Sequence, residues 1–336
     1  MNPTIDIIKM KAQVLEEFGK PLVLKEIEKP KPKDHEVLVK IKASGLNPLD
    51  IKIKNGEAPH AQVTPPMILG IDMAGIIVEV GKDVHSFKMD DEVFGMVGGV
   101  GNQQGTLAEY IAVNPDLLSL KPKNIPFEDA AAISLVFITA WEALVDKINL
   151  QPNQTVLIHG GAGGVGHIAV QIAVAKGAKV YTTVQPHHYQ QIKSYGAQPI
   201  DHTALSVEEY VQQYTNGMGF DAVLDTVGGS VLDNSFKAVK RYTGHVASIL
   251  GWGIHSLAPL SFLNGSYSGV FTLYPLLSGE NKKHHGKIVQ EAAKLMEEGK
   301  IKVMLHNKTF SLEQVNEAYQ VLDNKKSSGK IVITLD

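Results

Sequence analysis

Apolar and polar positions change rhythm along the 336 residues of this chain. In the first third they alternate. Glu36-Val37-Leu38-Val39-Lys40-Ile41-Lys42 has the period of a half-buried strand. Met67–Val80 and Asp91–Met96 add short apolar runs punctuated by glycine, and no strong helical period appears before Phe127. From Thr155 onward, short continuous apolar runs take turns with helical spacing. Strands are expected at Thr155–His159, Lys179–Val184, near Pro199-Ile200, at Asp221–Asp225 and at Gly244–Leu250. Helices are expected over Ile168–Ala173, His188–Tyr195, Val207–Tyr214 and Ser230–Val239. Such alternation implies an α/β fold with a doubly wound parallel sheet, and Ser268–Tyr274 reads as its last strand. Lys287–Glu298 is again helical, and the strand-like run Lys330–Leu335 is expected to return to the β-rich first part. This gives a β-rich domain at 1–128 and 276–336 and a nucleotide-type domain at 129–275.

Composition narrows the partners. A hydrophobic content of 44% and a charged content of 20% are those of an ordinary globular protein. A net charge of −3, with no basic run carrying interleaved aromatics, points away from nucleic acid. There is no cysteine, which rules out disulfides, thiolate zinc sites and cysteine nucleophiles. The N-terminal stretch lacks the apolar core of a signal peptide. The most apolar late stretch is broken by Pro259, Asn264, Gly265 and Pro275, so no membrane span is expected. A cytoplasmic enzyme follows as the expectation. His284-His285, set between lysines and a glycine, reads as a solvated helix start.

Between the expected strand at Thr155–His159 and the following helix lies Gly160-Gly161-Ala162-Gly163-Gly164-Val165-Gly166. Glycines in that place permit a tight turn and let backbone amides approach a pyrophosphate, which the helix N-terminus then attracts. An NAD site usually adds, about 20 residues later, an acid for the adenosine ribose. Here the chain offers Thr182, Thr183, Gln185, His187 and His188. A carboxylate would repel a 2′-phosphate, whereas hydroxyls, an amide and imidazoles can accept one, with Lys193 as a further cation. NADPH is therefore favoured over NADH. Arg241 is the only arginine, so such a clamp must use hydroxyls, imidazole or lysine.

Met10-Lys11-Ala12, Ser44 to Asp50, Gly70 to Gly75, Gly105 to Tyr110, Thr139-Ala140-Trp141 and the glycine turn occur in that order. With this set the chain resembles the medium-chain dehydrogenase/reductase superfamily, in its zinc-independent quinone oxidoreductase and enone reductase branch. The resemblance covers the chain from Met10 onward and leaves residues 1–9 as an extension. It implies a GroES-like β-rich catalytic domain, a Rossmann cofactor domain and a homodimer.

Zinc-dependent relatives hold a catalytic metal with a cysteine and a histidine–glutamate pair. Asn47 and Ile71-Asp72 stand at those positions here, so no zinc is expected. Without a Lewis acid the feasible reaction is hydride delivery to an already electrophilic carbon, in a quinone or an α,β-unsaturated carbonyl. The resemblance puts Asn47 and Lys52 beside the substrate as hydrogen-bond donors. Lysine at position 52, where quinone reductases often carry tyrosine, tilts the expectation towards enones. Asp50 reads as a local cap. The resemblance also carries Pro48, Thr139, Thr226, Leu250, Gly251, Trp252, Gly253, Phe271 and Thr272 over to cofactor contacts. His202 takes a place, usually tyrosine, near the adenosine. The strand around Phe271 resembles the family's dimer edge. A non-catalytic NADPH-binding protein and a zinc alcohol dehydrogenase stand as the alternatives.

Overall fold

The computed structural model describes residues 8–336. The expected extension at residues 1–9 lies outside the described residues except for its last two, and Lys9 already opens the first strand. The chain forms two compact units, one of residues up to 135 with 273–336, the other of residues 136–272.

The first unit begins with β1 (Lys9–Leu15), β2 (Val23–Glu28) and β3 (Val37–Gly45). A short helix, α1 (Pro48–Lys54), follows. Its presence corrects the expectation that helix starts only at Phe127. The alternation Ile51-Lys52-Ile53-Lys54 resembles a strand, but chemistry at the start of the segment decides otherwise. Pro48 sits in the first turn, and the Asp50 carboxylate accepts the amide of Asn47 at 2.7 Å. A pre-set φ and a satisfied first amide favour helix over extension. Then come β4 (Met67–Ile68), β5 (Asp72–Val80), β6 (Glu92–Met96), β7 (Tyr110–Val113), β8 (Leu118–Leu120) and α2 (Phe127–Trp141).

The second unit holds the alternation expected of it. Its strands are β9 (Thr155–His159), β10 (Lys179–Val184), β11 (Gln198–Asp201), β12 (Ala222–Asp225), β13 (His245–Ser248) and β14 (Ser266–Gly269). Interleaved are α3 (Gly164–Ala175), α4 (Tyr189–Ser194), α5 (Val207–Thr215), α6 (Ser230–Ala238) and α7 (Ala258–Phe262). The strands pair in the order β11-β10-β9-β12-β13-β14, all parallel. Leu157, Val223 and Val246 bury against Phe220, Phe236 and Val211, so the central strands read as unbroken apolar runs. The order reverses between β9 and β12, where such sheets bind ligands. β14 ends at Gly269, five residues short of the expected Tyr274, because the chain turns there towards the next helix.

The chain closes with α8 (Tyr274–Ser278), α9 (Lys282–Glu297), β15 (Phe310–Ser311), α10 (Val315–Asp323) and β16 (Val332–Thr334). α9 starts five residues before the expected Lys287, and His285 is buried rather than solvated. The cause is close packing: a Cβ on Gly286 would lie 2.3 Å from the Asp116 carbonyl oxygen. β16 runs antiparallel to β3 with Val332 opposite Gly45, in a seven-stranded sheet. The return of the terminal strand to the first part of the chain is thereby observed.

Gly45 ends β3 against the backbone of α2, where a Cβ would meet the Ala131 carbonyl oxygen at 2.2 Å. Gly45→Ala should therefore destabilise the fold by about 1–3 kcal/mol through overpacking. Urea titration checks this, as a lower midpoint at unchanged slope.

Candidate functional site

The glycine turn rises from the end of β9 onto α3. Gly160 has φ +77°, which only glycine adopts without strain. A Cβ on Gly161 would lie 2.0 Å from Thr182 Oγ1, and one on Gly166 would lie 2.1 Å from the Gly160 carbonyl oxygen. These two glycines are needed for packing. Gly163 is different: it is the exposed N-cap of α3, offers no capping side chain, and a Cβ there would meet only the Gly160 oxygen, at 3.2 Å. Ala162 and Val165 are partly exposed and Gly164 is exposed beside it. An uncapped helix start of this kind attracts an anion.

Beside the turn lies a cavity of about 280 Å³ lined by His159, Thr183, His202, Tyr210, Val227 and Asn234 among others. Sequence reasoning named Thr183 and His202 but passed over His159, Tyr210 and Asn234. The signal for His159 was present, as a polar residue ending an apolar strand immediately before the glycines. Burial pushes its imidazole down to about 4, with Asp225 opposing and His202 assisting that shift, so it is neutral. Its Nδ1 lies 3.2 Å from Thr183 Oγ1. Its Nε2 and the Tyr210 hydroxyl are buried without a hydrogen-bond partner among the described residues. Burial also raises the Tyr210 hydroxyl above its usual range.

Of the two threonines of β10, Thr182 is not the free donor expected, whereas Thr183 lines the cavity. Thr182 is fully buried and donates its hydroxyl to the Ile158 carbonyl at 2.6 Å. Thr183 accepts the Gly160 amide at 3.2 Å. Both brace the turn from below. Gln185 and His187 are exposed, His188 is half-buried, and the two imidazole rings stand 4.0 Å apart. His188 Nδ1 lies 3.2 Å from Gln191 Oε1, and Lys193 is exposed. His202 is exposed on the turn after β11.

The remaining predicted contacts divide likewise. Thr226 donates its hydroxyl to the His159 carbonyl at 2.6 Å, and Thr272, buried, donates to Glu142 at 2.9 Å, so both hydroxyls already serve the fold. Thr139 is buried in α2. Gly251, Trp252, Gly253 and Phe271 are exposed, Leu250 is partly so, and Pro48 is exposed at the head of α1.

In the other unit, Asn47 departs from the role expected of it. Its Nδ2 donates to Asp72 Oδ2 at 3.0 Å, its Oδ1 accepts from Lys330 Nζ, and its backbone amide is held by Asp50. Asn47 is a buried strut, its Nδ2 also facing the Gly45 carbonyl at 3.5 Å. Lys52, two residues beyond Asp50, is exposed. After burial, its charge is the second cause that lowers the His60 imidazole. Burial raises Asp50 to about 7, with its hydrogen bond from Asn47 opposing and Asp72 adding to the shift. Burial raises Asp72 to about 6 against the pull of Lys330, whose own ammonium burial lowers. Asp50 Oδ1 and the Tyr319 hydroxyl are both buried and lack partners among the described residues.

Two family models match the chain: an alcohol dehydrogenase GroES-like domain over residues 33–123 and a zinc-binding dehydrogenase over residues 195–333. It is 33% identical to a 2-methylene-furan-3-one reductase of Solanum lycopersicum, over 97% of this chain and 79% of that protein. It is 32% identical to a chloroplastic NADPH-dependent alkenal/one oxidoreductase of Arabidopsis thaliana, with the same coverage. The crystal structure of an alcohol dehydrogenase superfamily protein from Novosphingobium aromaticivorans superposes with a TM-score of 0.95 at 50% identity, over 97% of this chain and all of that one. The architecture and these matches define an oxidoreductase with a GroES-like and a Rossmann-like part. The chain belongs to the medium-chain dehydrogenase/reductase superfamily, among whose members quinone oxidoreductases are also its relatives.

The zinc in one model's description does not fit the side chains here. Asn47 Oδ1 already accepts from the Lys330 ammonium and Asp72 from the Asn47 amide, and among the described residues no cluster of three or more His, Cys, Asp or Glu side chains could hold a metal ion. No helix among the described residues is long and apolar enough to cross a membrane.

Gly163→Val tests the turn, since the fold tolerates a side chain there while a pyrophosphate would not. Affinity for NADPH, read by fluorescence quenching, should fall at least about tenfold with the melting temperature nearly unchanged. Asp50 gives a pH prediction. Its raised affinity for a proton in the fold means that stability falls as pH rises from about 4 to about 7. Asp50→Asn should flatten that slope and be more stable than the parent at pH 8, with the gain vanishing near pH 4, as followed by urea midpoints across pH.

Proposed function

We propose that this chain is a zinc-independent, NADPH-dependent reductase of α,β-unsaturated carbonyls and quinones. The observation that carries this is the uncapped, exposed start of α3 beside a cavity that His159, Thr183 and Asn234 help to line, followed at the end of β10 by Gln185, His187 and His188 rather than an acid. A dinucleotide's pyrophosphate suits that helix start, and its adenosine end suits the cavity with His202 on the rim. A 2′-phosphate is served by Gln185 and the two neighbouring imidazoles. A relative named an NADPH-dependent alkenal/one oxidoreductase supports the same cofactor, and one named a 2-methylene-furan-3-one reductase the same class of acceptor.

The nicotinamide, when bound, supplies the hydride. What the chain supplies is a donor for the charge that builds on the substrate oxygen, and the exposed ammonium of Lys52 is the group assigned to it. Asn47 and Asp50 fix the helix that carries Lys52. Thr139, Leu250, Gly251, Trp252, Gly253, Phe271 and Thr272 are retained as the nicotinamide-side contacts that the family resemblance implies, with the hydroxyl of Thr272 already committed. A homodimer joined through the outer edge of β14, where Tyr267 is exposed, and a cytoplasmic location complete the proposal.

Loss of NADPH absorbance with a small panel of enones, enals and quinones is the test. Turnover is expected, with enones ahead of quinones, and tight cofactor binding without turnover on any acceptor would overturn the catalytic reading. In the same assay Gln185→Asp should move the kcat/KM ratio towards NADH by about tenfold or more, the equivalent of about 1.4 kcal/mol of charge repulsion.

A further inference from the structure

Lys330 has no part in the chemistry above, yet its ammonium is buried and held by two acceptors. It is 7% exposed and lies 283 residues beyond Asn47 in sequence. β16, which follows it, pairs with the end of β3 and delivers its side chain to that spot. Its Nζ donates to the Leu46 carbonyl at 2.8 Å and to Asn47 Oδ1. An ammonium takes only the oxygen of an amide and a carboxylate takes only its nitrogen. Asn47, placed between Lys330 and Asp72, is therefore held in one orientation. Asp72 is fixed in turn by the Leu135 amide at 3.0 Å. Asn47 caps α1, and Lys52 rides on that helix.

We propose that Lys330 is a positioning residue for reduction of the acceptor: acting through Asn47, its ammonium sets the start of α1 and so the place of Lys52. This rests on the assignment of Lys52 above. It gives the two positions compared with zinc ligands, 47 and 72, an internal cation from the chain itself. A neutral side chain at 330 would not do this, because the Asn47 amide could then rotate and two buried carboxylates would face no counter-charge.

Lys330→Met alone is expected to fold poorly for that reason, so the test uses Lys330→Met combined with Asp72→Asn. The ammonium and the Asp72 charge are removed together, Asp50 is left with the proton that burial already favours on it, and the amide carbonyl introduced at position 72 still accepts from Asn47. The double variant should fold with a melting temperature near that of the parent and bind NADPH within about twofold of it. Its kcat/KM for the enone should fall by about tenfold to a hundredfold, as misplacement by a fraction of a helical turn does. A double variant with parental kcat/KM overturns the proposal, and so does a loss that NADPH affinity shares equally. Lys52→Met, assayed beside it, separates the two levels. If that variant keeps parental kcat/KM, the donor assignment fails and takes the proposal with it. If it is impaired while the double variant is not, the Lys330 proposal fails alone.

Discussion

A lysine ammonium shut away from water persists only where acceptors meet it, and that requirement ties the two ends of this chain together. Lys330 meets it with the Leu46 carbonyl and Asn47, in a pocket shared with Asp72 and Asp50. Two carboxylates against one ammonium leave an excess of negative charge, and burial resolves it by keeping a proton on the pair near neutrality, with Asp50 the more basic. The amide of Asn47 links the charges, and β16 cannot leave β3 without stranding them. The unit built from the first and last parts of the chain is thus closed by charge as well as by its sheet.

The nucleotide unit relies on close backbone approach instead. Thr182 fills the space that a side chain on Gly161 would need, and Gly166 admits the Gly160 carbonyl against α3. Asp225, at the end of β12, accepts the amides of Val227 and Gly228 and the hydroxyl of Ser248, which holds the neighbouring loop in place. The turn can then leave the start of α3 bare. What sequence reasoning takes as ligand contacts at 182, 183 and 226 is in good part the scaffold beneath the site.

Much of the fold was legible because periodicity reports burial directly. The parallel sheet of the second unit follows from apolar runs covered on both faces, as Leu157 and Val223 are. α1 was hidden, since seven residues hold less than two full periods and capping by Asp50 outweighed an alternating pattern. The glycine turn was legible through its context, and so was the missing acid after β10. Which hydroxyls point into the site was not, because neighbouring positions such as Thr182 and Thr183 look alike until pairing with β9 fixes which atoms they meet. Lys330 and Tyr210 were invisible for a related reason: each meets residues across a gap in sequence that composition does not span, Lys330 at Asn47 and Tyr210 at the cavity lined by His159.

The side chains at 47, 72 and 330 also bear on the kind of acceptor this chain can reduce. A divalent ion would have to displace an ammonium that already satisfies Asn47 and the Leu46 carbonyl, and would gain at most one carboxylate there in return. On the proposed zinc-independent reading, stabilisation of negative charge on a substrate oxygen falls to hydrogen bonds, whose strength in a water-poor site is smaller than that of direct metal coordination. Such donors suffice when the substrate spreads the charge itself, as a conjugated enone or a quinone does on accepting hydride. They do not suffice for an isolated alkoxide. On that reading, the bonds among the side chains at 47, 72 and 330 favour acceptors already polarised by conjugation.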